Sequence, residues 1–125
     1  MLKEFSFLIG NCPGSLVEIA EALGDDHVNI EALGGSTVLE EGVVCLVTDD
    51  DGKTRSALRS ASIDFQESEA LILDLPNHPG ELATVLRRLA DEGINVLSCY
   101  AAVERNRLVL TVDRVEDTKR ILRIE

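Results

Sequence analysis

A six-residue phrase, N-x-P-G-x-L, occurs twice in this chain and holds the residues best suited to chemistry. The copies lie at residues 11–16 and 77–82. Each glycine leaves backbone amides open where a helix begins, and the positive end of the helix dipole favours a carboxylate there. The proline fixes the chain direction before those amides, and the asparagine carboxamide can donate or accept a hydrogen bond. The phrase therefore offers donors for an anion and an acceptor for a cation, so it could bind a small ligand that carries both charges.

Both loops also have a purely structural interpretation. Asn, Pro and Gly are common between a strand and a helix, and Asn11 and Asn77 could simply cap the helices that follow. Asn29 and Asn95 follow helix ends, where they could serve the turn instead of a ligand. The residues alone leave a binding loop and a capping turn open as alternatives.

The two loops differ at the residue that follows the glycine. Glu81 places a carboxylate in the first helical turn, where it would compete with a ligand carboxylate for the positive field. Ser15 occupies the matching position in the first copy and brings no charge. We therefore expect the loop at residues 11–16 to bind a ligand better than the loop at residues 77–82.

Other reactive side chains form no pattern typical of catalysis or metal binding. Cys12, Cys45 and Cys99 lie far apart without a CxxC pair, which indicates reduced thiols rather than disulfides or zinc ligands. His27 and His78 are not at ligand spacing within one element. The sequence shows neither a nucleophile with a nearby base nor a phosphate-binding loop. We therefore expect no enzyme activity, no metal and no cofactor.

Composition restricts the classes of partner. The 125 residues carry a formal net charge of -11, whereas nucleic acids and anionic membrane surfaces require a basic face. No apolar stretch approaches the ~20 residues of a membrane span, and the first residues are too acidic for a signal peptide. These features predict a cytoplasmic protein without a nucleic-acid or membrane partner.

Strand and helix patterns surround both loops. Residues 2–9 alternate between apolar and polar as a half-buried strand does, and Leu16, Ile19, Ala20 and Leu23 recur at helical spacing. The pattern continues with predicted strands at 28–33 and 43–48, a helix at 54–60 and a strand at 63–67. The second half repeats this order, with a strand at 71–75, a helix at 82–89, a strand from 95, a strand at 108–112 and a helix at 115–122.

The repeat predicts two β-α-β-β-α-β units, one at residues 1–68 and one at residues 69–125. The second unit stops before its final strand. We therefore expect an open edge on the strand at residues 71–75, which a partner chain or a rearranged strand would cover.

With these features the chain resembles the ACT domain family, small ligand-binding modules of enzymes and regulators of amino-acid metabolism. The resemblance rests on both copies of N-x-P-G-x-L and on the entry into the next strand, seen at residues 93–96 and, with His27 in place of glycine, at residues 27–30. It covers nearly the whole chain and implies a stand-alone tandem ACT protein.

The resemblance implies an α+β fold of two ferredoxin-like units, side by side in one eight-stranded-type antiparallel sheet with helices on one face. Ligands of this family lie between paired units, so residues 11–16 would face 94–97, and residues 77–82 would face 28–31. The implied ligand-binding residues are Asn11, Cys12, Pro13, Gly14, Ser15, Leu16, Ile94, Asn95, Val96, Asn77, His78, Gly80, Glu81, Leu82, Val28, Asn29 and Ile30.

The function that the resemblance implies is that of an amino-acid-binding sensor, which regulates amino-acid metabolism through a partner enzyme or regulator. The expected assembly is a homo-oligomer, most simply a homodimer. One alternative is an interaction scaffold with empty sites, and a further alternative is a metal-responsive module.

Overall fold

The computed structural model describes residues 2–124 and contains seven strands and four helices in that range. The first six elements are β1 (Lys3–Gly10), α1 (Ser15–Asp25), β2 (Ile30–Val38), β3 (Glu41–Thr48), α2 (Asp51–Ser60) and β4 (Phe65–Glu69). The others are β5 (Leu71–Asp74), α3 (Glu81–Asp91), β6 (Val96–Ala101), β7 (Arg107–Val112) and α4 (Val115–Leu122). This order confirms the predicted α+β repeat, in which the second unit has no described counterpart of β4.

Several element boundaries differ from the prediction, among them β4, which was predicted at residues 63–67 and lies at Phe65–Glu69. Two of the differences have identifiable reasons. β2 continues past residue 33, because its glycine-rich end pairs with β3 from Gly34 opposite Cys45 to Val38 opposite Glu41. Helix α2 begins before residue 54, because the Asp50 carboxylate accepts a hydrogen bond from the Lys53 amide at 3.0 Å and caps the first turn.

Each unit builds its own core between one face of its sheet and its helices. The first sheet has the order β2-β3-β1-β4, and its buried side chains Phe5 and Leu46 pack with Leu23 and Leu58 of α1 and α2. The second sheet has the order β5-β7-β6 and packs around Leu89 of α3. All strand pairs described are antiparallel. Of the stripe predicted on α1, Ile19 and Leu23 are buried against the sheet, whereas Leu16 and Ala20 are exposed.

The two units do not join into one continuous sheet, which corrects the expected side-by-side arrangement. They form a four-stranded and a three-stranded sheet. The faces opposite the helices pack together through a third cluster of buried side chains, Ala32, Val47, Ala70 and Val109, with partly buried Leu2, Ile72, Tyr100 and Ala102. Edge strands β2 and β6 meet only at one end, where Ala32 bridges to Ala102. The arrangement buries part of the second face of both sheets inside a single chain, whereas Leu8 on the same face of β1 remains 57% exposed.

A polar network crosses this contact between the sheets. Glu4 is only 4% exposed, and its Oε2 accepts hydrogen bonds from Ser98 Oγ at 2.7 Å and from the Tyr100 hydroxyl at 2.9 Å. Because Ser98 gives its proton to Glu4, the Thr111 hydroxyl, 2.6 Å away, donates to Ser98. Gly34 makes room for the Tyr100 ring, since a Cβ at Gly34 would lie 3.1 Å from its Cγ. The network fixes how the two sheets sit against each other.

The expected open edge of β5 is present in the described structure, where β5 pairs with β7 alone. A cleft of about 340 Å³ beside β5 is lined in part by Leu71, Ile72 and Ile124. Next to it, Lys119 Nζ of α4 lies 2.9 Å from Glu69 Oε2, which ties α4 to the end of β4.

Candidate functional site

A cleft of about 440 Å³ lies beside the first N-x-P-G-x-L loop, and it is called the first cleft below. Its lining comes from β1 and the loop after it, the first turn of α1, and strands β2 and β3. The lining residues are Ile9, Gly10, Asn11, Cys12, Ser15, Leu16, Leu33, Gly35, Ser36, Thr37, Gly42, Val43 and Val44. Four of the predicted site residues are therefore gathered around one concave surface.

The glycine of the phrase is the N-cap of the helix in both units. Gly14 has φ 91° and Gly80 has φ 85°, a left-handed conformation that glycine adopts at little cost. A Cβ at either position would meet nothing within 4 Å, so backbone conformation and not space requires the glycine. No side chain caps α1 or α3. The first amide of each helix already donates to a loop carbonyl, from Ser15 to Cys12 and from Glu81 to His78, both at 3.3 Å. The amides that follow them, beginning with Leu16 and Leu82, remain available to a ligand.

The capping alternative for Asn11 and Asn77 is wrong, since neither side chain caps its helix. The Asn11 amide group instead donates to the Leu39 carbonyl at 3.4 Å, and its backbone amide donates to the Glu40 carbonyl at 3.0 Å. This orientation leaves the Asn11 carboxamide oxygen as an acceptor. Asn11 and the first residues of α1, Ser15 and Leu16, thus line the same cleft.

The remaining residues of the first loop have distinct environments. Cys12 is an exposed free thiol whose Sγ lies 3.0 Å from Ser15 Oγ. Pro13 is exposed in the turn before α1. Leu16 is 47% exposed although it begins the apolar stripe of α1, and Leu33 opposite it on β2 is 40% exposed. Two large apolar side chains in one cleft are a surface that a ligand can cover.

The second loop borders a larger and more highly charged cleft of about 840 Å³, the second cleft. Its lining residues are Leu75, Pro76, Asn77, His78, Glu81, Leu82, Ala101, Ala102, Val103, Glu104, Arg105, Asn106, Arg107 and Leu108. Glu81 Oε1 is 3.9 Å from His78 Nδ1, and Arg107 lies 3.3 Å from Asp74 and 3.4 Å from Glu104. Glu81 lines this cleft and lies in the first turn of α3, the position that the sequence predicted for its carboxylate.

The residues that were expected to face each loop do not line either cleft. Val28 and Ile94 are buried in the cores of their own units. Asn29 and Asn95 serve matching turns, in which their backbone amides donate to the carboxylates of Asp49 at 2.9 Å and Asp113 at 3.0 Å. Ile30 and Val96 begin β2 and β6 and pack partly against the cores.

The partners of each loop instead come from its own unit, from β2 and β3 for the first cleft and from the β6–β7 hairpin for the second. The stacked sheets account for this difference, because they leave the outer edges of β2 and β6 apart along most of their length. Gly35 and Thr37 were missed as site residues because the predicted strand ended at residue 33, and Leu33 was assigned to that strand but not to a site. The one sequence signal for these residues was the presence of two consecutive glycines, Gly34 and Gly35, in a segment that could form a strand beside residues 43–48.

Two further observations limit the chemistry of the described residues. In residues 2–124, no group of three or more His, Cys, Asp or Glu side chains could hold a metal ion. No helix in the same range is long and apolar enough to cross a membrane.

Comparison with solved structures identifies proteins with a similar fold. The structure is similar to that of protein BT0572 from Bacteroides thetaiotaomicron, with a TM-score of 0.87, 25% sequence identity, and coverage of 98% of this chain and 88% of that chain. It is also similar to the regulatory subunit of aspartate kinase from Thermus thermophilus, with a TM-score of 0.74, 15% identity, and coverage of 98% and 88%. The corresponding subunit from Thermus flavus gives a TM-score of 0.66, 16% identity, and coverage of 98% and 90%.

A comparison with curated proteins gave no match. The model of the family described as the ACT domain pair matches residues 1–125. The match agrees with the two loops, the two glycine N-caps and the repeated order of elements described above. This chain therefore belongs to the family of ACT domain pairs.

Proposed function

We propose that this protein is a regulatory module that binds a free amino acid in the first cleft and passes its occupancy to a partner enzyme or regulator. The observation that carries the proposal is the first cleft itself, where an uncapped helix start and an apolar wall face each other. Membership in the family of ACT domain pairs supports a regulatory role for this protein.

The ligand's two charges match the groups around the first loop. Its carboxylate would accept from the open amides of the first turn of α1, beginning with that of Leu16, and the helix dipole would favour its charge there. Its ammonium group would donate to the Asn11 carboxamide oxygen and to carbonyls of the loop. Hydrogen bonds to charged groups contribute roughly 1.5–3 kcal/mol each, so a few of them give a dissociation constant in the micromolar to millimolar range. That range is suited to sensing a metabolite.

We also propose that a second copy of the chain completes the site. The unit at residues 1–68 of one copy contributes the edge strand β2, and the unit at residues 69–125 of the other copy contributes the edge strand β6. In the chain the outer edges of β2 and β6 meet only where Ala32 bridges to Ala102 and the Val103 amide donates to the Glu31 carbonyl at 2.9 Å. Beyond that point unpaired edges carry exposed apolar side chains, including Val38 at 60% and Leu97 at 62%. Pairing β2 of one copy with β6 of the other covers both edges. It also sets residues 11–16 against 94–97, and residues 77–82 against 28–31.

The proposal predicts that Ser15→Glu weakens amino-acid binding at least ten-fold. The new carboxylate enters the cleft and repels the ligand carboxylate, while an acidic residue in the first turn stabilises the helix, so the fold is kept. A thermal-shift screen over the common amino acids identifies the ligand, which adds about 2.7 kcal/mol of stability at 100 times its dissociation constant. Calorimetry then compares the variants.

Val17→Glu is the matched control for this experiment. Val17 lies in the same helical turn, is 54% exposed and is not part of the cleft lining. Its new carboxylate shares the effect on the helix dipole but does not enter the cleft, so binding should fall by less than about five-fold. The reciprocal change, Glu81→Ser, is expected to create or strengthen binding in the second cleft. An unmodified protein that binds none of the amino acids would instead support the scaffold, and equal losses in Ser15→Glu and Val17→Glu would argue against the first cleft.

The assembly is tested by Leu97→Lys, a charge placed on the outer edge of β6. Charged residues on an edge strand oppose pairing with another strand, so this variant should be monomeric and should bind the ligand at least ten-fold more weakly. Light scattering coupled to size-exclusion chromatography measures the mass. Ala90→Lys adds the same charge at an exposed position of α3 and should remain dimeric. A monomeric unmodified protein, with or without ligand, would rule out the pairing.

A further inference from the structure

The first cleft contains no charged side chain, in contrast to the second. Its polar lining residues are all neutral, namely Asn11, Cys12, Ser15, Ser36 and Thr37, and the rest are glycine or aliphatic. The second cleft is lined by His78, Glu81, Glu104, Arg105 and Arg107 among others. The two units have diverged in the chemistry that they present to a ligand, although their loops share one phrase.

The aliphatic lining of the first cleft lies where the side chain of a bound amino acid would point. The loop and the first turn of α1 offer the polar groups that suit the ligand's carboxylate and ammonium. Across from them, Leu33 of β2 and Val44 of β3 form the sheet side of the cleft, with Ile9 of β1 next to them. A charged side chain there would lose hydration without gaining a partner, whereas an aliphatic one would remove apolar surface from water.

Gly35 provides the space for such a side chain. It lies opposite Val44 in the sheet, so its missing side chain would point to the helix side and into the cleft. A Cβ built there contacts only the Val43 carbonyl oxygen, at 3.7 Å, which is an ordinary van der Waals distance. A larger residue is therefore tolerated by the strand but occupies the volume of the cleft.

We infer that the first cleft selects amino acids with an uncharged aliphatic side chain, such as leucine, isoleucine and valine, and rejects those with a charged side chain. The inference rests on the proposed function. The proposed pairing with a second copy agrees with it, because residues 94–97 carry no charge and include the exposed Leu97. In the same dimer, residues 28–31 would face the second cleft. They would bring Glu31 to a lining that already carries charged side chains.

The test is calorimetric titration of the full chain with leucine, isoleucine, valine, lysine and aspartate. The aliphatic amino acids are expected to bind at least ten-fold more tightly than lysine or aspartate. Gly35→Val should weaken leucine binding at least ten-fold while leaving the melting temperature of the free protein unchanged. The control, Ala101→Val, makes a similar enlargement in the lining of the second cleft and should leave leucine binding intact.

The outcomes separate the inference from the proposed function. Lysine or aspartate binding as tightly as leucine would overturn the inference and leave amino-acid sensing in place. Absence of binding by any amino acid would overturn both. Leucine binding that survives Gly35→Val but is lost in Ala101→Val would assign the aliphatic ligand to the second cleft and overturn the inference.

Discussion

Above about pH 10, the free energy of unfolding is expected to fall by up to about 1.4 kcal/mol per pH unit through the ionisation of Tyr100 alone. The Tyr100 hydroxyl lies between the two sheets and donates to Glu4 Oε2 at 2.9 Å. Burial raises the pKa of Tyr100 well above its usual value, and the charge of Glu4 and its hydrogen bond raise it further. Ionised Tyr100 would face a carboxylate that is itself 4% exposed.

The sign of the effect follows from which state keeps the proton. The unfolded chain loses the tyrosine proton near the usual pKa of about 10, whereas the folded protein retains it to higher pH. The stabilisation is therefore complete below that pKa and is lost as the pH rises toward the raised pKa of the folded state. Burial also raises the pKa values of the Cys45 and Cys99 thiols, so these groups act in the same direction.

The chain's composition makes this measurement specific. Tyr100 is the one tyrosine, and there is no tryptophan, so near-ultraviolet absorbance reports tyrosinate at this position alone. Denaturant unfolding followed by circular dichroism between pH 8 and about 11 gives the stability. We expect tyrosinate absorbance to appear only as the protein unfolds.

Tyr100→Phe is the control for the pH experiment. It should remove the tyrosine part of the slope and keep the part that comes from Cys45, Cys99 and Lys119, whose pKa is also raised, chiefly by its hydrogen bond to Glu69. Tyrosinate that forms near pH 10 in a chain with unchanged circular dichroism would contradict the buried contact with Glu4.

Substituting valine at Gly34 is expected to lower the free energy of unfolding by about 1–3 kcal/mol, while the same change at Gly35 should alter it by less than about 0.5 kcal/mol. The two glycines are neighbours on β2 and point to opposite faces of the sheet. A side chain at Gly34 enters the contact between the sheets, where its Cβ would lie 3.1 Å from Tyr100 Cγ. A side chain at Gly35 enters the open first cleft.

Urea denaturation of the two single variants measures this difference. The double variant Gly34→Val, Tyr100→Ala supplies the control, because a smaller residue at position 100 removes the steric conflict. The cost of Gly34→Val should then be smaller in the Tyr100→Ala background than in the unmodified protein. Equal costs at Gly34 and Gly35 would show that the stacking of the sheets does not depend on this close approach.

The sequence by itself determined the elements and the family. Alternation in residues 2–9, helical spacing after each loop, and the repeated phrase are local patterns, because backbone preferences and the burial of one face act over a few residues. Gly14 and Gly80 were singled out because they leave backbone amides open, whereas the left-handed φ angles that require glycine there came from the structure. The first loop was identified as a candidate site from its residue types.

Only the tertiary structure decided how the two sheets meet and which strands border the first loop. Glu4, Ser98 and Thr111 are polar, so their alternation indicates a face exposed to water. They are in fact brought together across the chain and satisfy one another's hydrogen bonds, which permits their burial between the sheets. Contacts such as Tyr100 with Glu4 join residues 96 positions apart, and local patterns carry no information on such pairs. The stacking that they fix also leaves the edges of β2 and β6 uncovered. The pairing of β2 with β3 inside the first unit places Leu33 and Gly35 beside the first loop.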